Sequence, residues 1–215
     1  EYDNNHNSCI WGYMWGYDWN SAEKGDNISK PKTDADFTPL GLMNYSEVCF
    51  LKAEAALRGW QGAGDAKTNY ENGIRASFEE MRANAPKDSY SKSNDDKYIS
   101  EGNVAWNNAD SFEAKLEKII TQKWIGIYPN SEEAWAEFRR TGYPKLNPVK
   151  QSLEPTINPK NGEFIKKLRY VDNELSNNKE YATDPTLNGG QGDGLSVRVW
   201  WDTCLLYTSD AADEE

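Results

Sequence analysis

The sequence is short of the residues from which most catalytic and metal sites are built. It has one histidine, His6, and three cysteines, Cys9, Cys49 and Cys204, with no CxxC unit among them. No zinc ligand set can be assembled from so few donors. Cys49 lies among apolar residues of a helical pattern and reads as a buried, inert thiol. No apolar run approaches the length of a membrane span, and the opening residues are not those of a signal peptide. Positive charge is also scarce, with 24 Lys and Arg against 35 Asp and Glu for a net charge of −11. Without a basic cluster to offset it, this charge repels phosphate, so nucleic acid is excluded as a partner.

Aromatic rings, by contrast, are abundant. They make up 13% of the 215 residues, including nine Trp and twelve Tyr, which sets the chain apart from a disordered one. The length suffices for one sizeable domain or two small ones. In the stretch Ile10–Asn20, Trp11, Tyr13, Trp15, Tyr17 and Trp19 stand at alternate positions. On an extended strand alternate residues face the same way, about 6.6 Å apart. Five rings would then present on the order of 1,000 Å² of apolar surface. The C–H face of a sugar ring stacks well on such a platform. Packing beneath neighbouring helices is the alternative, and Gly12 and Gly16 also permit a turn that would divide the ladder.

Helical patterns begin at NYSEVCFLKAEAALRGW. Asn44 is placed to cap it, Glu47 stands at the capping-box position and Gly59 ends it. Tyr45, Val48, Cys49, Ala53, Ala56 and Leu57 form the expected inner face, with Lys52 and Glu54 outside it. After the GWQGAG turn, Asp65 is expected to cap a second helix with the stripe Ala66, Tyr70, Ile74, Phe78 and Met81. Two such helices form a unit of tetratricopeptide type, which needs neighbours to bury its apolar face. Residues 86–110 read as a polar loop. A third helix is expected from about Phe112 to Tyr128, with Phe112, Leu116, Ile119, Ile120, Trp124 and Ile127 inward. A short fourth helix is expected in SEEAWAEFRRTGYP, capped by Asn130 or Ser131 and stopped by Gly142 and Pro144. From Leu146 the chain reads as loops and short strands, with GGQGDG at 189–194 unable to hold regular structure.

No catalytic constellation emerges. Glu132, Glu133 and Glu137 are the densest carboxylates, but acids belong in the first turns of a helix. Asp3, Asn5 and Asn7 have calcium-loop spacing, yet Ser8 stands where the glycine is needed and Met14 where the closing Glu belongs. The expectation is therefore a protein that is not an enzyme, with no cofactor and no metal.

Four blocks in order, Asn44–Trp60, Lys118–Leu146, Leu168–Asn178 and Arg198–Thr203, resemble the C-terminal part of SusD/RagB-type proteins, the starch-binding outer-membrane lipoproteins of Bacteroidetes. Val171 departs from that pattern, standing where a proline is common. The resemblance implies a mainly α fold of tetratricopeptide-like helix pairs with a loop-rich, short-strand-containing part. It also implies capture of oligosaccharides or polysaccharides at the cell outer membrane, beside a SusC-like TonB-dependent transporter. The lipobox cysteine and N-terminal helices of the family are absent, so the anchor follows from the resemblance alone. The expected organisation is a C-terminal portion at 1–203, with a helix pair at 44–82, further helices at 111–143 and irregular structure at 1–43 and 144–203. The alternative is a tetratricopeptide-like scaffold for a protein partner. The carbohydrate-binding candidates are Trp11, Tyr13, Trp15, Tyr17 and Trp19.

Residues 204–215, CLLYTSDAADEE, resemble the conceptual translation of a sequencing-library adapter. Taking away their four carboxylates moves the net charge from −11 to −7, so the acidic character survives. Deleting residues 204–215 should leave the melting temperature unchanged in a thermal scan. A fall of several degrees would show that the tail packs.

Overall fold

The computed structural model describes residues 17–18, 30–31, 42–84 and 91–202. The chain divides into two compact units, Glu1–Trp106 and Asn107–Glu215. Among the described residues the fold is mainly α. Its only paired strands there are β1 (Tyr17–Asp18) and β2 (Lys30–Pro31), antiparallel, with Tyr17 opposite Pro31 and Asp18 opposite Lys30.

In the first unit, α1 runs Tyr45–Leu57 and α2 runs Ala66–Asn84. Asn44 occupies the N-cap position with extended dihedrals, but its side chain makes no capping bond among the described residues. The cap comes from the next helix. Ser46 donates from its amide to Glu80 Oε1 at 3.0 Å and from its hydroxyl to Glu80 Oε2 at 2.6 Å. A carboxylate at this end also suits the helix dipole. Because the start of α1 meets the last turns of α2, the two helices run antiparallel. Asp65 caps α2 as expected, accepting from the Thr68 amide at 2.8 Å and the Thr68 hydroxyl at 2.7 Å. These hydrogen bonds hold the Asp65 carboxyl below its ordinary range.

The end of α1 is a Schellman motif. Gly59 has φ 76°, its amide donates to Ala56 O at 3.0 Å, and the Trp60 amide donates to Ala55 O at 3.0 Å. The inner face of α1 differs from the expected one. Cys49, Phe50 and Ala53 are buried, while Tyr45 is 66% exposed and Glu54 only 6%. Tyr45 sits on the first, open turn, and Glu54 is drawn in by Arg58, whose Nε donates to its Oε1 at 2.9 Å. The stripe of α2 holds at Tyr70 and Ile74 and fades at Met81, which is 37% exposed.

Tyr70 anchors this unit. Its ring meets Phe50 edge-on at 6.4 Å and Trp106 at 5.4 Å, and its hydroxyl donates to Val104 O at 2.7 Å. Burial raises the Tyr70 pKa, so the phenol stays a donor. The region read as a polar loop contains a short helix, α3 (Asp95–Ser100). Asp95 pairs with Arg82 and Asp96 with Arg75, and Ile99 is buried, so tertiary contacts order a stretch of weak local propensity.

In the second unit, α4 runs Phe112–Gly126 and α5 runs Ser131–Thr141. Ser111 accepts from the Ala114 amide, and Asn130 accepts from the Glu133 amide, each at 3.2 Å. Leu116, Ile119, Ile120 and Ile127 are buried, but Phe112 and Trp124 are about two-fifths exposed, at 40% and 38%. They flank the buried stripe rather than share it. Beyond α5 the described chain forms short helices, not strands: α6 (Asp172–Asn177), α7 (Lys179–Ala182) and α8 (Leu187–Gly190). The last of these reaches into the glycine run at 189–194, with Gly190 and Gly192 at φ 87° and 72° supplying the turn out.

Gly73, in the middle of α2, lets the two helices approach closely. A Cβ there would lie 2.7–2.9 Å from three atoms of the buried Phe50 ring. On helix propensity alone, Gly73→Ala should gain about 0.5–1 kcal/mol. The overlap should reverse the sign, with a loss of about 1–3 kcal/mol in denaturant unfolding. Pairing Gly73→Ala with Phe50→Leu should give less than the sum of the two losses. Additive losses would show that the ring does not set the requirement.

Candidate functional site

Of the five ring positions proposed for sugar stacking, Tyr17 lies on described backbone, in the extended pair of β1 with β2. Trp11, Tyr13, Trp15 and Trp19 lie outside the described residues. The carboxylates weighed for catalysis are within reach of description, and two of them are occupied. Lys123 of α4 is 1% exposed and donates to Glu133 Oε1 at 2.7 Å and to Glu137 Oε1 at 2.9 Å. Arg140 donates to the other oxygen of Glu137 at 2.6 Å. Burial pulls the Lys123 pKa down, but attraction to Glu137 and the bonds to both carboxylates outweigh it, and the net shift is upward. The ammonium is thus fixed as a cation, and the acids hold α4 to α5.

A second cluster lies on the other side of α5. Trp135 and Arg139, one helical turn apart, face the same way. The Arg139 guanidinium sits 3.7 Å from the Trp135 ring centroid and 4.6 Å from that of Trp201. A planar cation between two indoles is a favourable arrangement, worth about 0.5–2 kcal/mol per contact at a partly desolvated site. Arg139 Nη1 also donates to Lys166 O at 3.1 Å, while its Nε finds no acceptor among the described residues. Burial lowers the Arg139 pKa, and nearby Asp202 opposes that shift.

Beside it, Lys166 Nζ lies 3.2 Å from Asp202 Oδ2, with both side chains buried. The pair meets at ion-pair distance without hydrogen-bond geometry, so its attraction is coulombic. Lys166 also stands over Phe138 at 5.1 Å. Two cations and one carboxylate therefore fasten the segment ending at Asp202 to α5.

The same helix face walls a cavity of about 450 Å³. Trp135, Phe138, Phe164, Ile157 and Leu195 line it, and its polar lining is limited to Ser152, Glu154 and Glu163. Its walls are held in place: Phe138 meets Phe164 edge-on at 5.0 Å, and Trp135 Nε1 donates to Ile165 O at 2.8 Å. Glu154 is committed to Thr156, whose hydroxyl and amide bonds hold the carboxyl below its ordinary range. Glu163 accepts from the Asn158 amide at 2.7 Å. Such walls suit apolar groups and leave a hydroxyl-rich ring few partners. Among the described residues, no three His, Cys, Asp or Glu side chains converge on a metal position.

Of the clamp residues, Trp201 and Asp202 fall in the Arg198–Thr203 block that carries the resemblance, with no role assigned there, and Lys166 falls in none of the four blocks. The Trp135–Arg139 spacing and the Trp-Trp-Asp run were visible signals, but their partner, Lys166, comes from a segment without a pattern.

Comparison with known proteins matches residues 3–202 to the model of a family described as SusD-like, the SusD and RagB outer membrane lipoproteins. Among solved structures, a chitin-binding SusD homolog from Flavobacterium johnsoniae is 35% identical with a TM-score of 0.61, over 79% of this chain and 40% of that one. A SusD homolog from Bacteroides uniformis is 32% identical with a TM-score of 0.62, over 82% of this chain and 39% of the homolog. A SusD-like protein from Bacteroides thetaiotaomicron is 32% identical with a TM-score of 0.61, over 81% and 40%. The chain spans about two fifths of the length of these relatives. No curated protein sequence matches it.

The carboxylates around Lys123 carry a stability prediction. Lys123→Met should cost about 3–5 kcal/mol in denaturant unfolding, because it strips the buried Oε1 of Glu137 of its cation and leaves only Arg140, on the other oxygen. Adding Glu137→Gln should recover part of the loss. A cost below about 1 kcal/mol, the range of exposed pairs, would show that the network does not hold α4 to α5.

Proposed function

The chain belongs to the SusD-like family of outer membrane lipoproteins, and from that membership we propose that it captures oligosaccharides at the cell surface for import through a SusC-like TonB-dependent transporter. The observation that carries this reading is the family match over residues 3–202. A chitin-binding relative at 35% identity supports a glycan as ligand and makes N-acetylglucosamine oligomers the first to try. The protein holds its ligand and performs no chemistry on it. That part of the reading is supported by the commitment of Glu133 and Glu137 to Lys123, a structural use of the acids that a glycosidase would leave facing the sugar.

Within this reading, the rings of Trp11, Tyr13, Trp15, Tyr17 and Trp19 form a stacking platform. The extended backbone at Tyr17 supports that geometry, since alternate residues of a strand share a face.

Titration calorimetry of the full chain with chitohexaose and maltohexaose should give saturable binding to at least one, and prolonged incubation should release no shorter sugars. Trp15→Ala or Trp19→Ala should weaken that binding roughly tenfold, on the scale of about 1–3 kcal/mol for one ring stacked on a flat ligand. Release of shorter products, or no binding to either glycan, would sink the reading. If the ladder is packing instead, the same changes should cost about 3–5 kcal/mol of stability and leave affinity unchanged.

A further inference from the structure

We propose that Trp200 is a second sugar-stacking residue, presented to solvent by a turn whose neighbouring residues are locked in place. The proposal rests on the glycan-binding reading and extends it to a part of the chain remote in sequence from the ladder. Trp200 is 92% exposed, the highest value of any described aromatic residue. It occupies the second position of a tight turn closed by the Asp202 amide, which donates to Val199 O at 2.9 Å. That position accepts nearly any residue. The backbone therefore has no need of an indole there, and a polar side chain would avoid exposing one.

The residues around it are fixed. Trp201 lies on the Arg139 guanidinium at 4.6 Å, and Asp202 is buried against Lys166 at 3.2 Å. Upstream, Val197 is buried, Leu195 accepts from the Lys166 amide at 2.7 Å, and Ser196 Oγ donates to Thr156 O at 3.0 Å. Segment 195–202 is thus tied to the rest of its unit at both ends, and the free ring stands on a held backbone. A ring on a held backbone has only its two side-chain torsions to order when a ligand covers it, which favours a stacking position. The apolar C–H face of a neutral pyranose matches the indole face in size and polarity, so the ligand class is a neutral oligosaccharide. Asp202, Lys166 and Arg139 act as positioning residues for the turn.

The test uses the full chain, titrated with chitohexaose and with maltohexaose. Trp200→Ala should weaken binding roughly tenfold or more while leaving the melting temperature in place. Trp200→Tyr should restore most of the affinity. Iodide should quench Trp200 in the free protein, as the difference between wild type and Trp200→Ala, and the bound glycan should protect it. Asp202→Asn should weaken binding when Trp200 is present and add nothing in the Trp200→Ala background. If the wild type binds and Trp200→Ala binds equally well, the inference fails while the glycan reading stands. If the wild type binds neither sugar, the glycan reading fails and takes this inference with it. A large fall in melting temperature for Trp200→Ala, or a Trp200 that iodide cannot reach, would show that the ring is a packing surface and overturn the proposal.

Discussion

A guanidinium held between two indoles is the interaction on which the second unit turns. Arg139 reaches from α5 to lie between Trp135 of its own helix and Trp201 of the chain's last described segment. Burying a cation is costly unless its charge is answered. Here the answer comes from two ring faces, the Lys166 carbonyl and nearby Asp202. Lys166 in turn needs Asp202, so the segments bearing these residues are held together or not at all. The cavity wall made by Trp135 and Phe138 and the turn that carries Trp200 both adjoin that cluster.

The first unit depends on close approach. The absence of a side chain at Gly73 makes room for Phe50, whose ring packs against Tyr70. Glu80 then closes the start of α1 in place of a local cap. In both units, carboxylates that could be mistaken for chemistry are spent on architecture: Glu80 on a helix end, Glu133 and Glu137 on Lys123. The placement of these charges thus serves the fold of a chain that belongs to the SusD-like family.

Much of the helical framework was legible beforehand, because caps and stops are local. Asp65, Asn130, Gly59 and Gly142 act where their side chains or dihedrals require, within three or four residues of the bonds they make. What was missed depended on distant partners. Tyr45 was placed inside and is 66% exposed, and Glu54 was placed outside and is 6% exposed, because a helical period does not say how an end turn is covered or which carboxylate an arginine will draw in. The short α3 was read as loop because its order comes from Arg75 and Arg82, more than ten residues earlier. Of the sugar platform, Tyr17 has its backbone described and the other four rings lie outside the described residues.

By itself the sequence determined the class of molecule: an acidic, ring-rich, mainly helical chain with a single histidine and no CxxC unit, bearing four blocks of the SusD/RagB type. Those properties are additive or local, so they survive without a fold. The tertiary structure alone decided what each charge and ring is for. It turned Glu133 and Glu137 into partners of a buried lysine, Arg139 into the filling between two tryptophans, and Trp200 into an exposed ring beside a Trp-Asp pair anchored on Arg139 and Lys166. The physical reason is that burial and pairing depend on groups brought together from distant segments, and neighbouring tryptophans in one turn can meet opposite fates.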